Sequence, residues 1–116
     1  MKVISMSIDV RITGSGLFTP KYKITNEELV ASYNAYADKY NADNADAIEV
    51  GELTAKPHSS AEFITKASGI KSRYIYVKEG ALDINRMRPQ ISPRTDEELS
   101  HQAEMAVDAA KKAMQA

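Results

Sequence analysis

A chain of 116 residues, 43% hydrophobic and 27% charged, has the composition of an ordinary globular domain, which argues against both a disordered chain and a membrane protein. Fifteen Lys and Arg against sixteen Asp and Glu leave a formal net charge of -1, too weak a field to recruit nucleic acid or an anionic membrane surface. With no cysteine, disulfides, thiolate metal sites and cysteine nucleophiles are excluded within these residues.

The first residues carry an early lysine and alternating polar positions, unlike a secretory signal, and no run of about 18 apolar residues follows. A cytoplasmic location is expected. From Ile4 to Thr13 the residues alternate, with Ile4, Met6, Ile8, Val10 and Ile12 on one side and Ser5, Ser7, Asp9, Arg11 and Thr13 on the other. A period of two predicts a strand with one buried face. Gly14-Ser15-Gly16 and Pro20 then predict a loop. A dinucleotide fingerprint would need a third glycine where Thr19 stands, so the nucleotide reading fails.

Thr25 and Glu28 have the spacing of a capping box, and Ile24 and Leu29 that of a hydrophobic staple, so a helix is predicted from Thr25. Leu29, Tyr33, Tyr36 and Tyr40 give it one apolar, aromatic face, read as a packing surface. Ala42 to Val50 is expected to add a helical turn or two, ending near Gly51. Ser59 and Glu62 predict a second helix start, with Phe63, Ile64 and Ala67 as its apolar stripe and Gly69 as its stop. Arg73 to Val77 alternates aromatic and β-branched residues and predicts a short strand. The stretch through Gly80, Pro89 and Pro93 is a loop of open conformation.

Thr95 and Glu98 predict a third helix start, followed by a long helix with Leu99, Ala103, Ala106, Val107, Ala110, Ala113 and Met114 on one face. That helical period is intact at Ala116 with no stop signal, which gives the impression of a chain cut in mid-helix. Two strands make a poor sheet, so further strands are expected beyond residue 116.

Candidate chemistry is sparse. His58 and His101 have no His or Cys at metal-ligand spacing and read as solvated or locally bonded side chains. Lys66, Lys71 and Arg73 form a small basic cluster that reads as solvated charge, although a phosphate would suit it. No metal or cofactor is expected.

Three stretches resemble the N-terminal part of β-ketoacyl-[acyl-carrier-protein] synthase III and its relatives, the thiolase-like condensing enzymes. The first is Ile12-Thr13-Gly14-Ser15-Gly16-Leu17-Phe18-Thr19-Pro20 with Ile24-Thr25-Asn26-Glu27-Glu28-Leu29; the second is Glu62-Phe63-Ile64 with Ser68-Gly69-Ile70-Lys71-Ser72-Arg73-Tyr74-Ile75; the third is the alanine-rich helix from Leu99. The resemblance implies an α/β fold, the N-terminal part of a thiolase-like layered α-β-α-β-α domain, incomplete here, with residues 1–116 as a fragment of one domain.

It also implies an acyltransferase of fatty acid biosynthesis that joins an acyl-CoA primer to malonyl-acyl carrier protein with release of carbon dioxide. Its expected partners are acyl-CoA, the acyl carrier protein, the remainder of the enzyme and a second copy of the full enzyme. The family's catalytic cysteine, histidine and asparagine fall outside this chain, which is expected to be inactive alone. One site residue is carried over: Phe63 stands where the family has a tryptophan that stacks on the adenine of coenzyme A. Ala67 departs from the family's coenzyme-contacting arginine, and the segment from Tyr33 to Pro57 is longer than the family's, which leaves the primer open. A small non-enzymatic α/β interaction module is the alternative.

Overall fold

The computed structural model describes residues 7–116, which divide into two compact units. One is Pro20–Ser92; the other combines the chain up to Thr19 with Pro93–Ala116.

The Pro20–Ser92 unit contains β1 (Tyr22–Thr25), α1 (Asn26–Asp43), α2 (Ala45–Glu49), α3 (Ala61–Ser68) and β2 (Ser72–Ile75). β1 and β2 pair antiparallel, with Tyr22 opposite Ile75 and Thr25 opposite Ser72. β2 was expected, at slightly different bounds; β1 was not. Its four residues are too short to show a period, and only the pairing with Ser72–Ile75 identifies them as a strand.

α1 starts where its capping box predicts. The Thr25 hydroxyl accepts from Glu28 N at 3.2 Å, and Glu28 Oε2 accepts from Thr25 N at 2.9 Å. Two orphan amides of the helix end are thereby satisfied by residues three apart. Lys78 from the loop after β2 reaches Glu28 Oε1 at 2.7 Å and tightens the same corner. The hydrogen bonds from Lys78 and from the Thr25 amide favour the ionised carboxylate and lower the Glu28 pKa from 4.5.

The core of this unit is small. Ile24 is 3% exposed, Ala37 is sealed, and the tyrosine stripe of α1 lies half-buried, as its spacing predicts. The most buried large side chain is polar: Asn26, 1% exposed, at the first position of α1. Its Nδ2 donates to Thr65 Oγ1 on α3 at 3.0 Å and to Ile70 O at 2.6 Å. Its Oδ1 accepts from the Arg73 guanidinium on β2 at 3.1 Å, and its own amide donates to Lys71 O at 3.1 Å. Every hydrogen-bonding group of this side chain is therefore engaged, which is the condition under which a buried amide is tolerated.

α3 corrects the expected cap by one residue. Ser60, not Ser59, accepts from Phe63 N at 3.1 Å, because the backbone of Ser59 is committed elsewhere, as described below. Gly69 ends the helix with φ +73, a left-handed conformation costly to any residue with a Cβ. Gly51 likewise closes α2, near where the helical stretch was expected to end. The loop after β2 is ordered: Ser32 Oγ donates to Leu82 O at 2.8 Å, and Gln90 N to Glu79 O at 2.7 Å.

In the other unit the predicted strand is not found. Residues 7–13 form no strand, and Ile12 is 94% exposed; Ile4 to Met6 lie outside the described residues. A period of two specifies which side chains would share a face, but a strand also needs a neighbour for its backbone, and none of the described strands pairs here. α4 (His101–Gln115) starts later than expected. Thr95 and Glu98 do bond reciprocally, at 2.9 Å from Thr95 N to Glu98 Oε2, but this closes a turn; the helix is capped by Ser100, whose Oγ accepts from Ala103 N at 3.1 Å.

The packed face of α4 is also rotated from the expected one. Ala103 and Ala113 lie on it as expected, joined by Met105 and Ala109, while Ala106, Val107, Ala110 and Met114 are exposed. The reason is the glycine pair read as a plain turn. A Cβ on Gly16 would stand 2.1 Å from Ala109 O, and one on Gly14 2.3 Å from Ala113 O, so two backbones meet there without side chains between them. Lys112 Nζ donates to Leu17 O at 3.3 Å and lies 6.0 Å from the centre of the Phe18 ring.

Two outcomes follow for the Pro20–Ser92 unit. Asn26→Ala removes the partner of Ile70 O and of the Arg73 guanidinium in a part-buried site and is expected to lower unfolding stability by about 1 to 3 kcal/mol in chemical denaturation. Because the folded Glu28 pKa lies below its unfolded value, the capping contribution is complete above pH 4.5 and is lost as pH falls through the folded value. The stability gap between the native chain and Glu28→Gln is therefore expected to be widest near neutral pH and to close below pH 4.5, as measured by urea titrations along a pH series.

Candidate functional site

The site is built on α1. Side chains at positions i, i+4 and i+7 of a helix share a face, and Asn34, Asp38 and Asn41 have that spacing. All three grip one extended segment that runs antiparallel to them. Asn41 Oδ1 accepts from Lys56 N at 2.8 Å while its Nδ2 donates to Lys56 O at 2.9 Å. Asn34 does the same to Ser59, at 2.8 Å to its N–H and 3.1 Å to its carbonyl. Between them, His58 Nε2 lies 2.6 Å from Asp38 Oδ1.

Each asparagine thus offers one donor and one acceptor to the backbone of a single residue, the pairing a neighbouring strand would offer. An irregular segment gains the backbone satisfaction of a sheet edge without being a strand. Lys56 adds a second anchor, its Nζ 4.5 Å from the Tyr40 ring centre and 5.9 Å from that of Tyr36. The tyrosine stripe therefore packs, as expected, and part of what it packs against is the stem of this segment.

Held in this way, Pro57, His58, Ser59 and Ser60 form the wall of an open cleft of about 610 Å³, completed by Tyr33 of α1 and Phe63 of α3. Phe63, the residue singled out from the sequence, lines this cleft. It was also expected to belong to an apolar stripe packing α3, and here the structure differs: Phe63 is 65% exposed and Ala67 is exposed, while Ile64 and Thr65 are half-buried. A ring that large left in solvent beside a cleft is available to stack on a ligand.

The other sequence candidates are dispersed. Arg73 is turned into the Asn26 network, so the basic cluster does not act as one site. Lys66 borders a separate shallow depression with Glu27, Ala61, Glu62 and Thr65. His58 is locally bonded, in keeping with its reading, though its partner 20 positions away was not foreseen. His101 is half-buried at the first position of α4. Among the described residues no three His, Cys, Asp or Glu side chains gather as metal ligands, and no helix is long and apolar enough to cross a membrane.

Asn34, Asp38 and Asn41 were missed. Their i, i+4, i+7 spacing was present in the sequence, but polar residues at that spacing ordinarily face water, and nothing local indicates that a chain segment returns to them.

No protein-family model matches the chain. Over 84 residues, 72% of its length, it is 50% identical to the β-ketodecanoyl-[acyl-carrier-protein] synthase of Pseudomonas aeruginosa. The match spans 24% of that protein, so the chain corresponds to about a quarter of its relative's length. The resemblance to a β-ketoacyl-[acyl-carrier-protein] synthase is thereby shown.

The clamp has a direct signature. Asn34→Ala frees both backbone groups of Ser59 and is expected to speed exchange of the Ser59 amide hydrogen by about tenfold or more, with the Lys56 amide, held by Asn41, much less affected; native-state hydrogen exchange by NMR reads both.

Proposed function

We propose that the chain is a fragment of a β-ketoacyl-acyl carrier protein synthase III-like condensing enzyme, supplying scaffold and part of the acyl-CoA entrance but no catalytic group. The observation that carries the reading is the coincidence of two things: 50% identity over 84 residues to a named synthase, and the solvent-facing ring of Phe63 on a cleft large enough for a base. Residues 1–116 then belong to one layered domain of the thiolase-like kind, whose remaining strands accompany the two seen here. The parent enzyme acts in the cytoplasm, as a dimer, with acyl-CoA and acyl carrier protein as its partners.

The reaction balances simply. The acyl group passes from its thioester to the α-carbon of a malonyl thioester; carbon dioxide leaves that carbon, a new carbon–carbon bond forms, and the primer's thiol is released. Nucleophile and oxyanion donors for these steps are supplied by the rest of the enzyme. The chain's own task is to position the carrier end of the primer, for which an aromatic face beside a held loop is suited.

The relative's name supports one primer length for this reading. A β-ketodecanoyl product has ten carbons, two of them from the malonyl unit, so the matching primer is an eight-carbon acyl thioester. The departure of Ala67 from the arginine of acetyl-CoA-primed enzymes fits a different primer.

Titration of coenzyme A into the 116-residue chain tests this reading. Binding is expected, weakened by about five- to a hundredfold in Phe63→Ala, the range for losing one base–aromatic stack. No turnover of octanoyl-CoA with malonyl-acyl carrier protein is expected from the chain alone. Failure to bind coenzyme A, or equal binding by Phe63→Ala, would reject the entrance role.

A further inference from the structure

His58 lines the same cleft as Phe63, and its ring is held from behind by Asp38 on α1. A carboxylate only accepts hydrogen bonds, so at 2.6 Å the proton of a neutral imidazole sits on Nε2, and Nδ1 is left as an acceptor. Among the described residues the hydrogen bond of the ring is the one at Nε2, and the side chain, about half exposed, lines the cleft. The cleft is thus lined by a flat apolar ring, Phe63, and by a second flat ring, His58, that carries an acceptor.

Adenine presents an exocyclic amino donor at its six-position, whereas hypoxanthine and guanine present a carbonyl acceptor there. We propose that His58 is the specificity-determining residue for the base in this cleft, selecting adenine through Nδ1, and that Asp38 is the positioning residue that sets its tautomer. The inference rests on the coenzyme A reading above and deepens it: the Phe63 ring supplies affinity for any purine, and the Asp38–His58 pair supplies the choice among purines. The bidentate grip of Asn34 on Ser59 and of Asn41 on Lys56 fixes the backbone on either side of His58, so the acceptor is held in place before a ligand arrives.

The test compares adenosine 3′,5′-bisphosphate, the nucleotide end of coenzyme A, with its inosine counterpart, each titrated into the 116-residue chain at about pH 8. The native chain is expected to prefer adenine by about tenfold, the worth of one hydrogen bond made against one acceptor facing another. His58→Phe keeps a flat ring and removes the acceptor, so it is expected to bind both nucleotides with nearly equal affinity. Asp38→Asn lets Nδ1 carry the proton and is expected to erode or reverse the preference. A merely structural role for either residue would weaken both nucleotides alike and leave their ratio unchanged, and that result overturns the inference. If the native chain prefers adenine, Phe63→Ala weakens both nucleotides and His58→Phe still prefers adenine, the coenzyme A reading survives and the role of His58 does not. If the native chain binds neither nucleotide, or Phe63→Ala binds as well as the native chain, both fall together.

Discussion

The buried amide of Asn26 is the constraint on which the Pro20–Ser92 unit depends. It stands at the first turn of α1, and its hydrogen bonds reach α3, the loop after Gly69 and β2. A leucine there would bury more apolar surface, but it would leave Ile70 O and the Arg73 guanidinium without this partner in a part-buried site. A unit whose sealed apolar side chains are Ile24 and Ala37 has little hydrophobic burial to define its geometry. A fully satisfied polar junction supplies directionality that such a core does not.

α1 carries two structural duties at different points along its length. At its start, the reciprocal bonds of Thr25 and Glu28 fix the helix end, Lys78 ties it to the loop after β2, and Asn26 fixes α3 and β2 to it. Further along, Asn34, Asp38 and Asn41 hold the segment from Lys56 to Ser59. The cleft lies where these two regions meet, between a helix whose start is anchored and a loop whose backbone is held. Phe63 belongs to the first region through α3 and His58 to the second. A site assembled in this way presents its rings from elements that are already ordered, so little conformational entropy remains to be lost on binding.

The unit formed by the two ends of the chain shows a different balance. Its contact surface includes backbone on backbone, at Gly14 and Gly16 against Ala109 and Ala113, and several of its apolar side chains, Ile8, Val10 and Ile12 among them, are in solvent. Small residues permit a close approach but bury little area, and residues 7–13 pair with no strand among the described residues.

What the sequence by itself determined are the features whose partners lie within one helical turn: the capping box of Thr25 and Glu28, the shared face of the α1 tyrosines, and the left-handed stop at Gly69. These interactions close over three or four residues and survive any tertiary arrangement. Tertiary structure alone decided that Ser60 and not Ser59 caps α3, since Asn34 takes the backbone of Ser59 from 25 positions away. It likewise decided that Tyr22–Thr25 is a strand, that Asn26 is buried, and that the glycines after Thr13 receive a helix. A hydrogen-bonding side chain announces its capacity in the sequence but not its partner, and the partner is set by where the chain returns.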